Sequence, residues 1–205
     1  MDSLAALILD YGGVLTWPQR AESVEGMARL ACVPPGLFLT AYRTHRGGYD
    51  DGTLTVEAYW HEVFTGLGRP SAPSLDVLEQ LTELDVESWT EYREETWAIA
   101  RAVRTSGLRT AMLTNCPVEH LARIRADRQP ERSFDAVVAS CEVGSNKPDR
   151  PIYDACLARL GVAAGGALFV DDSSANVEGA AALGMRTLLF AAGGSTLELR
   201  RLLGG

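Results

Sequence analysis

Several polar residues in this chain stand where an apolar run stops. Leu-Ile-Leu gives way to Asp10, Ala-Met-Leu to Thr114, and Phe-Val to the pair Asp171-Asp172, while Lys147 follows a further run in the loop before Pro148. Continuous apolarity marks strands covered on both faces, hence a parallel sheet. In an open parallel sheet, residues just past the carboxyl ends of the strands converge on one edge. Carboxylates, a hydroxyl and an ammonium gathered there suit phosphoryl transfer. Mg²⁺ takes oxygen ligands, commonly one or two carboxylates plus substrate oxygens, and a lysine and a hydroxyl neutralise and orient a phosphate. Lys147 is also the sole lysine among 19 basic residues, the other 18 being arginine. A position that needs a compact ammonium rather than a planar guanidinium would keep lysine in this way. Singly, Asp10, Thr114 and the Asp pair read equally well as helix caps or strand ends; together they point to a site.

The elements that must place these residues are legible in outline. Apolar runs at 4–9, 110–113, 136–139, 167–170 and 187–190 read as five strands, and the stretches between them carry helical patterns. Pro117, Asp149 with Pro151, and Ser174 open helices; Gly161 and Gly184 close them, and Ser195 with Glu198 has the spacing of a capping box. Trp89, Tyr92, Thr96, Ile99 and Val103 form one stripe at helical spacing. The interval between the first and second strands is too long for a plain crossover. It holds helical patterns at 22–31, 36–45, 56–67 and 75–84 and no strand. The chain therefore divides into a core, residues 1–16 and 87–205, and an inserted helical unit, residues 17–86, set over the strand ends. In that unit Arg46, Tyr49, Asp50 and Asp51 lie in a glycine-rich loop between helices, as substrate contacts or as a solvated turn.

Composition narrows the function classes. A chain of 205 residues that is 46% hydrophobic and 22% charged is globular. A net charge of −8 argues against a nucleic-acid surface, which needs clustered basic residues. No run is long enough to span a membrane, and the first apolar run lacks the basic flank of a signal peptide, so a cytoplasmic location is expected. Cys32, Cys116, Cys141 and Cys156 show no metal or CxxC spacing and read as reduced thiols. His45, His61 and His120 sit in helical patterns without paired spacing, which suits surface or satisfied positions.

Leu-Asp10-Tyr-Gly12-Gly13-Val14-Leu, Leu-Thr114-Asn115, Lys147-Pro148-Asp149 with Ile152-Tyr153, and Asp171-Asp172-Ser-Ser-Ala-Asn176 with Gly179 and Gly184 resemble the four motifs of the haloacid dehalogenase superfamily. The order and spacing match over the whole chain. The resemblance implies an α/β fold, a Rossmann-like parallel sheet with an inserted α-helical cap of the C1 type, as in sugar-phosphate phosphatases and the phosphatase domain of soluble epoxide hydrolase. It implies a Mg²⁺-dependent phosphatase acting on a small phosphorylated metabolite. Asp10 would be the nucleophile that forms an aspartyl-phosphate, and the backbone at Gly12 would give a carbonyl to Mg²⁺. Thr114 and the Asn115 backbone would bind phosphoryl oxygens, and Lys147 would pair with Asp10 and the transferring group. Asp172 would bind the metal directly, with Asp171 and Asn176 acting through water or through neighbouring ligands.

One position departs from the pattern. Phosphatases of this family usually carry a second Asp two residues after the nucleophile, which protonates the leaving group and then activates water; this chain has Gly12. Three readings stay open: a phosphatase that favours good leaving groups or borrows an acid from the cap, a protein that binds a phosphorylated ligand without turnover, and a dehalogenase, whose halide leaves without a proton.

Overall fold

The computed structural model describes residues 3–69, 71–190 and 196–204. In chain order the elements are β1 (Ala6–Leu9), α1 (Ala21–Leu30), α2 (Pro35–Thr44), α3 (Arg46–Asp50), α4 (Val56–Gly66), α5 (Leu75–Glu87), α6 (Glu94–Thr105), β2 (Arg109–Thr114), α7 (Val118–Arg128), β3 (Ala136–Ala139), α8 (Ser140–Val143), α9 (Arg150–Leu160), β4 (Ala167–Asp171), α10 (Ser174–Ala182), β5 (Arg186–Leu189) and α11 (Leu197–Leu202). The five strands form one parallel sheet in the order β3-β2-β1-β4-β5. The chain winds outward from β1 first to one side and then to the other, so the strand order switches beside β1. Crevices for ligands open at such a switch, outside the carboxyl ends of the strands.

Alternation along the strands divides the core. Leu7 and Leu9 of β1, with Met112 and Val170, pack on one face beside Trp97, Ile124 and Leu199. Ala6 and Ile8, with Leu113 and Phe169, pack on the other beside Ile152, Cys156 and Ala180. Both faces are dry, which is why each strand reads as an unbroken apolar run. The turns obey local chemistry. Helix α9 runs from Asp149, with Pro151 in its first turn, to a left-handed Gly161, and α7 ends at a left-handed Gln129. The capping pattern at Ser195 lies outside the described residues.

Helices α1 to α5 have an apolar core of their own, built on Phe38, Tyr42, Tyr59, Trp60, Val63 and Leu81. The chain leaves the sheet and returns to it along two adjacent legs. Trp17 N donates to Glu91 O (2.8 Å), Arg93 N donates to Leu15 O (2.9 Å), and Thr16 bridges Tyr92 in antiparallel fashion. This pairing corrects one expectation: Trp89 and Tyr92 continue the spacing of α6 but are not in it, because the return leg pairs with Thr16 before the helix starts at Glu94. A second correction concerns 46–50. The expected loop is the short helix α3, tied into the core beneath it by Ser140 Oγ, which donates to Asp50 O (2.5 Å). Among the described residues no helix is long and apolar enough to cross a membrane.

Candidate functional site

The register of the sheet sets the site. Leu9 stands level with Met112 of β2 and Val170 of β4, so the next residues, Asp10, Leu113-Thr114 and Asp171-Asp172, emerge together. Lys147 reaches them from the loop after α8. Its Nζ donates to Asp10 Oδ1 (2.6 Å), to Asp171 Oδ2 (2.7 Å) and to the carbonyl of Leu113 (3.0 Å). The ammonium is fully enclosed by these three acceptors, which matches the three donors of a lysine. Asn115 holds the loop that carries it: its Nδ2 donates to Lys147 O (2.9 Å) and its Oδ1 accepts from Lys147 N (2.8 Å). The Asn115 side chain is thus occupied in placing Lys147.

Asp10 is tethered through one oxygen and open at the other. Oδ1 accepts from Lys147 and from Tyr11 N (2.7 Å), while Oδ2 has no partner among the described residues and the carboxylate borders the cavity above. Asp171 is buried and spent on neighbours, accepting from Ser173 N, Lys147 and Asn176 Nδ2. Asp172 is exposed to the cavity, and its carboxylate bonds to no other residue among those described. Two glycines allow these approaches. A Cβ on Gly13, whose φ is +71°, would lie 2.2 Å from Asp172 Oδ2, and a Cβ on Gly179 would lie 2.8 Å from Pro148 O, jamming α10 against the Lys147 loop.

Electrostatics leave this cluster short of positive charge. Burial pushes the Asp10 carboxyl up to about 8, with Asp171 adding to the rise and Lys147 opposing it. Burial and Asp171 also raise Asp172. Lys147 is pulled down by burial but held above its usual range by Asp10 and Asp171. Asp10, Asp171 and Asp172 offer ligand oxygens that all lie within 4.8 Å of one another. Three carboxylates around one ammonium, one of them unbonded and facing space, fit a hard divalent cation with oxygen ligands.

A cavity of about 710 Å³ lies over the cluster, bordered by Asp10, Gly12, Thr114, Asn115, Lys147, Asp172 and Asn176 below. Its wall brings in a network that sequence spacing alone does not reveal. Arg46 donates to Asp50 Oδ1, Tyr42 Oη and Asp85 Oδ2, each at 2.8 Å; Tyr42 Oη donates to Asp85 Oδ1 at 2.5 Å; and His120 Nε2 lies 3.0 Å from Asp85 Oδ2. Despite burial, Arg46 and His120 hold the Asp85 carboxyl well below the usual range, whereas burial raises Asp50. Of the four residues expected near substrate in 46–51, Arg46 and Asp50 border the cavity. Tyr49 turns into the helical core and donates to Glu119, and Asp51 binds Thr53. Position 12 has its own neighbour: a Cβ there would meet the Trp89 ring at 3.2 Å. At the position where phosphatases of the resembling family carry a second acid, this chain has a glycine backed by the Trp89 ring.

Comparison with known proteins agrees with this geometry. Residues 4–184 match the haloacid dehalogenase-like hydrolase family. Mouse acyl-CoA dehydrogenase family member 10 is 33% identical over 91% of this chain, which spans 18% of that protein's length. A phosphatase of Mycobacterium tuberculosis is 28% identical, covering 96% of this chain and 91% of its own. A sesquiterpene phosphatase of Aspergillus oryzae is 26% identical, covering 97% and 96%. In fold, a Bacteroides thetaiotaomicron enzyme of the same family, solved with magnesium and inorganic phosphate, superposes with a TM-score of 0.77 at 20% identity, covering 96% of this chain and 99% of that one. With the strand order, the four strand-end motifs and a family match over most of its length, the chain belongs to the haloacid dehalogenase-like hydrolases.

Proposed function

We propose that this hydrolase is a Mg²⁺-dependent phosphatase of small phosphorylated molecules. The observation that carries the reading is the pairing of Asp10 with the enclosed Lys147 ammonium beside an unbonded Asp172. Asp10 attacks phosphorus through its open oxygen, the bond to the leaving oxygen breaks, and an aspartyl-phosphate forms; water then cleaves it to free phosphate and restores the carboxylate. Lys147 favours the ionised form of Asp10 against burial and Asp171, an effect that a bound cation would complete, and it faces the charge of the transferring group. Thr114 and the Asn115 backbone bind phosphoryl oxygens. Asp10, the Gly12 carbonyl and Asp172 hold the cation, with Asp171 and Asn176 fixing the ligands from behind. When bound, Mg²⁺ offsets the repulsion between the anionic nucleophile and an anionic phosphate. Residues 17–86 act as the cap that closes over this chemistry. The phosphatase relatives and the magnesium and phosphate in the related structure support the reading. The Asp171-Asp172 pair favours it over a dehalogenase, which needs no metal.

Phosphate release from a panel of phosphorylated metabolites tests it: activity vanishes with chelator and returns with Mg²⁺. Full activity in excess chelator, with halide released from haloacids, would instead establish a dehalogenase. Because a positioned general acid contributes about 10²–10⁴-fold and none stands at Gly12, rates across aryl phosphates should depend steeply on leaving-group acidity. A flat dependence would mean that Asp50 already supplies the proton, and Asp50→Asn would then restore the slope. Gly12→Asp should flatten the slope, and more so when Trp89 is also reduced to Ala, because a Cβ at position 12 would press on the indole at 3.2 Å.

A further inference from the structure

The cavity is larger than a phosphoryl group needs, within the range that holds a drug-sized ligand, and its two halves differ in chemistry. The floor is the charged cluster. The outer half runs between the first turns of α1 and α2 and is bounded by Pro18, Ala21, Val24, Pro35, Gly36 and Leu39. Val24 and Leu39 are half-buried and the other four are exposed, so this half is an open trough rather than a closed pocket. Trp89 continues the apolar lining down to Gly12, beside the reacting groups. The polar side chains along the inner wall are already committed to one another. Gln19 donates to Tyr42 and to Ser88 (3.0 Å each), Tyr42 donates to Asp85, and Arg46 is spent on Asp50, Asp85 and Tyr42. Glu25 and Arg43 stand at the exposed rim. A leaving group rich in hydroxyls would meet few free partners here, and polar recognition depends on such partners.

We propose that the substrates are phosphomonoesters whose leaving group is an extended hydrocarbon or aromatic body, seated along this trough with its far end in solvent. The proposal rests on the phosphatase reading and names the substrate class for that same site. It is tested with 4-alkylphenyl phosphates from methyl to hexyl, whose leaving-group acidity is nearly constant, kept below micellar concentrations with Mg²⁺ present. The expected result is a rise in kcat/KM of up to about fourfold per methylene, the scale of fully burying that much apolar surface, with glycerol and glucose phosphates below the whole series. Leu39→Asp and Gly36→Trp, the latter filling space that is open beside Gly36, should each shrink the hexyl-to-methyl ratio. A flat or falling response to chain length, or a preference for the sugar ester, overturns the proposal while leaving the phosphatase standing. If no ester is cleaved, the phosphatase reading fails, and calorimetric Kd values for the same series with Mg²⁺ decide the trough separately: tightening with length supports it and constancy overturns it.

Discussion

Two buried clusters of acids and bases border the same cavity, and their charges are balanced differently. On the wall, Asp50 and Asp85 are answered from within the chain by Arg46, His120 and Tyr42. On the floor, Asp10 and Asp171 share the ammonium of Lys147, and Asp172 stands beside them with no bonded partner among the described residues. The consequence is visible in the two central carboxyls: Asp85 is held well below the usual range, while Asp10 is pushed up to about 8. Burying a charge is costly unless it is paired and hydrogen-bonded. The wall meets that condition by itself and joins the inserted helices to α7. The floor leaves a deficit that suits a hard divalent cation from outside.

The comparison breaks most sharply at the two central acids. Asp10→Asn should lower kcat by about 10⁴-fold or more, as removal of a covalent nucleophile does in other hydrolases, with an unchanged circular dichroism spectrum. Asp85→Ala should do the reverse. It leaves Arg46 without its best-placed buried partner, so denaturant titration should show about 3–5 kcal/mol less stability. If Asp85→Ala were as stable as the parent, the wall network would not be holding the helices to the core.

The same acid gives the sign of a pH effect. The Asp85 carboxyl is depressed in the folded chain relative to the unfolded one, so its contribution is present above the usual carboxylate range and lost as pH falls through the lower folded value. The stability difference between the parent and Asp85→Ala should therefore narrow as pH falls below about 4. A difference that widened in acid would contradict the ion-pair account.

The smallest effect concerns the floor alone. Mg²⁺ at 100 times its Kd should stabilise the folded chain by about 2.7 kcal/mol, read as a rise in Tm. Asp172→Asn should reduce that rise while Asp85→Ala leaves it intact. Equal loss in both variants would mean that the two clusters are one unit.

How much of this was legible beforehand differs between the same two regions. Asp10, Thr114 and the Asp171-Asp172 pair stand at the ends of apolar strands and Lys147 in the loop that follows another, and a parallel sheet sends every strand end to one edge, so these residues could be assembled from their positions in the chain. Convergence on one edge does not order the strands; the fold sets β1 between those that deliver Thr114 and Asp172. Local patterns also mark the helices of the insertion, because amphipathic periodicity and capping residues act within a few turns. The Trp89–Tyr92 segment shows the limit of that signal: its helical spacing is overridden by pairing with Thr16, which is 76 positions away in the chain.

The wall was not legible, since Arg46, Asp85 and His120 carry no mutual spacing and meet only when α3, α5 and α7 pack together. The sequence also shows that Gly12 lacks the second acid, but not that Trp89 lies over it. Tyr49 and Asp51 share a segment with Arg46 and Asp50, yet a short helix in place of a loop turns the first pair away from the cavity and the second pair toward it. By itself the sequence determined which elements form and which residues end them, because backbone propensity and strand-end chemistry are local. Which side chains share the cavity, and which are neutralised before any ligand arrives, was decided only by tertiary packing, because charge balance and exclusion depend on distances between segments remote in the chain.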